Sequence, residues 1–262
     1  MRNFMHAPAR ALLLLVVGLV VACQTVPITG RSQLQILPES EEMRMGVQSY
    51  ADILKKSRLS TDPALNELVT RVGSRIAAAT GRADYQWEYK VIEDKQANAF
   101  ALPGGKVAVY TGILPITRDD AGLAAVLGHE VAHVIARDGG ERVSQQLVVQ
   151  MGLAGTMAAF SRRDPKTVQA VGALLGAGAS VGLLLPWGRS QESEADHLGL
   201  IYMAKAGYDP HGARDLWVRM AEASKGQARP PEFLSTHPSE ATRIRQIEAW
   251  MPEAMTHYRP AR

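Results

Sequence analysis

The chain has 262 residues, 46% apolar and 21% charged, a globular balance that excludes a disordered tail or a collagen-like rod and allows one sizeable core or two small ones. Arg2 and Arg10, in an acid-free leading stretch, account for most of the formal charge of +3, so the remainder stands near parity and offers no basic face for a polyanion. Four Phe, seven Tyr and four Trp, thinly spread, supply no stacking platform either, and neither nucleic acid nor nucleotide is an expected partner.

Residues 1–10 are short and basic, and Ala11 to Ala22 is an unbroken apolar run. At 1.5 Å per residue such a run covers roughly 18 Å, short of a hydrocarbon core of about 30 Å, so a cleaved signal peptide over 1–22 is a better reading than a spanning anchor. Cys23, the single cysteine, cannot form an internal disulfide, and Val20, Val21 and Ala22 stand directly before it. The stretch is similar to bacterial lipoprotein precursors. That resemblance implies cleavage before Cys23, lipidation of its sulfur and new amino group, and a stable hold on the membrane through several acyl chains. Gln24 in place of Asp favours, by the same analogy, the periplasmic side of the outer membrane of a bacterial envelope.

Residues 23–38 carry Pro27, Gly30 and Pro38 without a sustained period and read as a lipidated tether. An acidic first turn at Glu39–Glu42 opens a helix through Met43, Val47, Tyr50 and Leu54, and Asp62-Pro63 opens another through Leu65, Val69, Val72 and Ile76. Between 86 and 111 the period changes to two. Trp87, Tyr89 and Val91 alternate with polar residues, and Val107 and Val109 follow the turn Pro103-Gly104-Gly105, which predicts a small sheet. Helices are predicted over roughly 119–137, 141–160, 165–184, 189–206, 210–223 and 238–250. The architecture expected over 39–262 is a mostly helical α+β domain with a small β-sheet and no second domain, and no helical repeat is visible. Ala170 to Trp187 is nearly all apolar with the Gly172/Gly176 and Gly178/Gly182 pairs, and is read as a buried or membrane-touching hairpin with 147–160 rather than a spanning pair.

The chemistry concentrates in His129-Glu130-Val131-Ala132-His133, set within an apolar helical stretch. Four residues advance a helix by about 400°, which leaves the two imidazoles on one face, one turn apart, and suits them to one tetrahedral Zn²⁺. Glu130 stands beside the pair, placed to take a proton from a water at the ion. The metzincin extension requires Gly three and His six residues past His133, where the chain has Ala136 and Gly139, so the third ligand comes from another helix. Glu192 completes a His2Glu set, and Asp196, one turn on, can accept the outward N–H of a liganding imidazole. Glu194 lies about 200° around the helix from Glu192 and is the weaker candidate. His197, His211 and His257 read as packing or surface residues.

These blocks resemble the HtpX-like and CAAX-prenyl-protease-like gluzincins, family forty-eight of the metallopeptidases, with particular likeness to periplasmic lipoprotein members. The likeness runs through Thr29-Gly30-Arg31, Asn98–Gly105 with Thr111-Gly112, the His-Glu-x-x-His block, Arg189–Glu192 with Glu194–Asp196, and Ser235–Pro238. It implies a zincin-like metalloprotease domain with one Zn²⁺ on His129, His133 and Glu192, Glu130 as catalytic base, and Asp196 behind a ligand. His237 is then either a fourth ligand that holds the enzyme latent or a stabiliser of the oxyanion. Asn98, Ala99 and Phe100 form an edge strand on which extended substrate pairs. One departure is Asp138, where many relatives carry His; the zinc ligands are untouched, but any hydrogen bond borrowed from relatives at that turn is in doubt.

The function implied is a membrane-anchored zinc metalloendopeptidase that hydrolyses unfolded or misassembled envelope proteins. The alternative is a noncatalytic zinc-containing chaperone or assembly factor for outer-membrane proteins, which has no need of Glu130. A prenyl-protein protease embedded in the membrane would require several spans that the hydropathy does not provide.

Overall fold

The computed structural model describes residues 23–160, 185–225, 233 and 241–260. They fall into two compact units, one from Gly139–Pro186 together with the segment up to Glu39, the other from Ser40–Asp138 and Trp187–Arg262. The predicted helix at 165–184, most of the apolar stretch 170–187, and His237 lie outside the described residues. Among those described, no helix is long and apolar enough to cross a membrane.

In the first unit the stretch expected as a plain tether contains a hairpin. Strands β1 (Cys23–Thr25) and β2 (Ser32–Leu34) pair antiparallel, with Cys23 opposite Leu34. Ile28 and Gly30 close the turn at positive φ, and the Gly30 N–H donates to the Val26 carbonyl. Strands of three residues are too short to show a period, which is why the sequence does not announce them. The segment is tied to helix α5 (Asp138–Phe160). Arg31 pairs with Glu141 at 2.9 Å, and the Ile36 N–H donates to Ser144 Oγ at 2.9 Å.

The second unit begins with helix α1 (Glu39–Lys56), which crosses from the first, and continues through helix α2 (Pro63–Ala79). Asp62 caps α2 by accepting from the Ala64 N–H, and Pro63 sits where a missing N–H costs nothing. Strands β3 (Glu88–Ile92), β4 (Ala99–Leu102) and β5 (Lys106–Tyr110) make a sheet ordered β3-β5-β4. β5 takes the centre, parallel to β3 and antiparallel to β4, with Val109 opposite both Val91 and Ala99. Gly104 and Gly105, at φ +86° and +85°, allow the β4–β5 reversal. Tyr50 of α1 anchors the sheet by donating its hydroxyl to the Val107 carbonyl at 2.9 Å.

After a 3₁₀ turn and the short helix α3 (Leu114–Thr117), helix α4 (Asp120–Ala136) is buried along nearly its whole length. Asp119 caps it by accepting from the Gly122 N–H at 2.7 Å. Around α4 pack α2, β4 and helix α7 (His211–Ser224); the unit also holds most of helix α6 (Leu185–Lys205) and helix α8 (Ala241–His257).

The crossing of α4 and α6 positions the site. A Cβ on Gly128 would lie 2.9 Å from the Gly199 carbonyl oxygen, and one on Gly199 would lie 3.0 Å from the Gly128 carbonyl carbon. Two hydrogens at the contact bring backbone against backbone, and His129 on one helix then faces Glu192 and Asp196 on the other. Glu192, Asp196 and Gly199 share one stripe of α6 because steps of four and three return to the same side.

Candidate metal centre

His129, His133 and Glu192 each offer a ligand atom, and these atoms all lie within 4.8 Å of one another. The two Nε2 atoms are 3.2 Å apart. Glu192 Oε2 lies 3.4 Å from His129 Nε2, and Oε1 lies 3.3 Å from His133 Nε2. Bonds of 2.0–2.1 Å in a tetrahedral site place neighbouring ligand atoms about 3.3 Å apart, so the spacing of this donor set suits zinc.

Both imidazoles are held from behind. His129 Nδ1 lies 3.0 Å from Asp196 Oδ1, and His133 Nδ1 lies 2.6 Å from Asp138 Oδ2. An ionised carboxylate only accepts, so each pairing puts a proton on Nδ1 and aims Nε2 at Glu192. The Asp196 pairing was read from the sequence; the Asp138 pairing was missed. Arg137 ends α4 in the left-handed region (φ 60°, ψ 34°), turning the chain so that the next residue comes back under His133. Glu42 of α1 braces that turn: Arg137 donates Nη2 and Nε to its carboxylate, and both residues are largely buried. The only sequence signal was the departure at Asp138 itself.

Burial alone would lower the His133 imidazole, but the hydrogen bonds and charges of Asp138 and Glu192 outweigh it and push it up to about 10 in the metal-free chain. Its contribution to stability is therefore full below the ordinary imidazole value of 6.5 and fades as pH rises through about 10. Metal binding must displace the Nε2 proton, so zinc affinity rises over the same window. Replacing Asp138 with Asn is expected to flatten the fall in melting temperature of chelator-treated protein between pH 6.5 and 10. The same change should weaken zinc binding about 10–100-fold. Identical melting curves for variant and wild type across that window would count against the pairing.

Arg243 of α8, also missed, reaches the other side of the site. Its Nη2 lies 2.7 Å from Asp196 Oδ1, its Nε donates to Oδ2, and its Nη1 is 3.5 Å from Glu192 Oε2. Burial would raise the Asp196 carboxyl, but the Arg243 charge and the hydrogen bonds from His129 and Arg243 hold it below the usual range. Trp217 and Phe233 flank His129 at ring-centroid distances of 6.1 and 6.0 Å. A lone Arg, Trp and Phe on separate segments carry no spacing that a sequence reading could use.

The remaining expected residues are placed as follows. Glu130 is buried on α4, and Glu194 lies on α6 outside the three-residue donor group. Asn98 directly precedes β4, an outer strand of the sheet among the described residues, and does not lie in it; its Oδ1 accepts from the Ala99 N–H and its backbone carbonyl from the Tyr110 N–H. Ala99 and Phe100 are the first two residues of β4, and the Phe233 N–H donates to the Ala97 carbonyl just before it. Cys23 opens β1 and is exposed. His197 stacks on Trp250 and meets Glu253 at 2.7 Å, and His211 meets Asp209 at 2.7 Å; both stand apart from the donor group.

Comparison with known proteins adds a family. Peptidase family M48 matches residues 63–251. The mitochondrial metalloendopeptidase OMA1 of Schizosaccharomyces pombe is 40% identical over 241 residues, covering 87% of this chain and 66% of the relative. The protein of the same name in Saccharomyces cerevisiae is 31% identical, covering 88% and 70%. A putative beta-barrel assembly-enhancing protease of Vibrio cholerae is 30% identical, covering 84% of this chain and 46% of its own length. The chain thus spans only part of each relative.

These relatives correct one expectation. A lipid-anchored place in a bacterial outer membrane does not stand, because the relatives at 40% and 31% identity are mitochondrial by name. The expected address rests on residues 1–23, whereas the family match covers residues 63–251. A targeting segment is read by a receptor and leaves no mark on a metal site.

Proposed function

The chain belongs to peptidase family M48, whose members are zinc-dependent metalloendopeptidases, and we propose that it hydrolyses peptide bonds with one zinc held by His129, His133 and Glu192 and with Glu130 as proton carrier. The observation that carries this reading is the convergence of three ligand atoms within 4.8 Å, drawn from α4 and α6. When bound, zinc supplies a Lewis acid for the scissile carbonyl and makes an attacking water acidic near neutral pH. Asp196 and Asp138 keep both Nδ1 nitrogens protonated and both rings fixed. The Glu130 carboxylate accepts the proton of the attacking water and delivers it to the departing amine, acting as base and then as acid.

The substrate proposed is an extended, unfolded stretch of polypeptide. β4 supports this reading as an outer strand, since main-chain pairing tolerates varied side chains and needs a segment without its own fold. Residues 39–262 are proposed as the protease part, and the family match over 63–251 lies inside it.

Unfolded casein tests the activity. Zinc-loaded protein is expected to cleave it at internal bonds, 1,10-phenanthroline to stop cleavage, and added zinc to restore it. A zinc-loaded protein that binds casein and leaves it intact would favour the noncatalytic assembly factor instead.

A further inference from the structure

We propose that Arg243 is a positioning residue for the metal centre: its guanidinium fork fixes the Asp196 carboxylate, and through it the His129 ring, so that metal binding by α4 and α6 depends on α8. The inference rests on the zinc reading above and goes beyond it.

Arg243 is 4% exposed, in a place where a long cationic side chain is rarely found without a task. Asp196 Oδ1 is shared between His129 Nδ1 at 3.0 Å and Arg243 Nη2 at 2.7 Å, while Oδ2 is taken by Arg243 Nε. Two parallel contacts from a planar fork fix the carboxylate plane, which a single acceptor bond to His129 does not. The guanidinium is itself held, since its Cζ lies 3.5 Å from the centroid of the Trp217 ring. It also spans two acids. Glu192 and Asp196 stand one turn apart on α6, and Arg243 reaches both, with Nη1 3.5 Å from Glu192 Oε2. Their mutual repulsion would otherwise splay the ligand from the carboxylate that orients His129. Nη2 lies 3.1 and 3.3 Å from the two nitrogens of His129, so the ring has no room to swing toward α8. Lysine provides the charge without the fork and cannot reproduce this arrangement.

The test uses the full chain with Arg243→Gln and Arg243→Lys. Zinc affinity is read by competition with a chromogenic chelator, ligand geometry by the visible spectrum of the cobalt-loaded protein, and turnover by a fluorogenic peptide. Arg243→Gln is expected to weaken zinc binding about 10–100-fold, shift the cobalt bands, and lower kcat with KM held. Arg243→Lys should fall between it and wild type. A Gln variant with wild-type zinc affinity and a superimposable cobalt spectrum overturns the proposal.

If Arg243→Gln does not fold, Asp196→Asn with and without Arg243→Gln carries the comparison, because the double variant removes both buried charges. The proposal expects the double variant to bind zinc no more weakly than Asp196→Asn alone, and a second full loss overturns it. Wild-type protein that takes up zinc and cleaves nothing removes the protease reading and leaves the metal and cobalt readouts intact. Wild-type protein that takes up no zinc overturns both.

Discussion

Glu130→Gln is expected to keep one zinc per chain and to lower kcat for peptide cleavage by about 10²–10⁴-fold, with KM little changed. The substitution is nearly isosteric at a buried position, so it opens no cavity and α4 keeps its packing. It removes the lone carboxylate proposed to accept a proton, and a neutral amide at neutral pH neither takes nor returns one. His129 and His133 keep their partners Asp196 and Asp138, which is why metal content is expected to hold while turnover falls. A zinc that only fixed structure would leave any measured cleavage indifferent to this change. Equal rates for the two proteins, at equal zinc content, would remove Glu130 from the mechanism.

Glu192→Ala is expected to lose the metal itself. Glu192 is the anionic member of the donor set and comes from the other helix, so its removal leaves the two imidazoles on α4 without the third donor that α6 offers. Affinity should drop by more than the 10–100-fold typical of residues that merely orient a ligand. The loss extends to stability: at free zinc about 100 times the dissociation constant, wild type gains about 2.7 kcal/mol from binding, and the variant forgoes it. Zinc titration followed by thermal melting reads both effects. A variant that melts with the wild-type zinc dependence would exclude Glu192 as ligand.

What could be read from sequence was whatever obeys a local period. The spacing of four between His129 and His133, and again between Glu192 and Asp196, follows from helical geometry and needs no knowledge of tertiary structure. The start of α2 at Asp62-Pro63 and the β4–β5 turn at Gly104-Gly105 are local signals as well. What stayed hidden depends on breaks and crossings. Asp138 reaches His133 because Arg137 adopts a left-handed conformation, and the helical phase of α4 ends there. Arg243 lies 47 positions past Asp196 with no interval linking the two. The sheet order places β5 between β3 and β4, which alternation alone does not encode because it marks faces and not neighbours. Gly128 and Gly199 carry no spacing signal singly, and their meaning is the contact between them.

The proposed function requires α4 and α6 together to hold one zinc. Crystals of the zinc-loaded protein, with diffraction recorded on either side of the zinc absorption edge, test it most directly. A single anomalous peak is expected, bonded at about 2.0–2.2 Å to His129 Nε2, His133 Nε2 and a Glu192 carboxylate oxygen. A zinc peak elsewhere, or none between these three residues in protein carrying one zinc per chain, would contradict it.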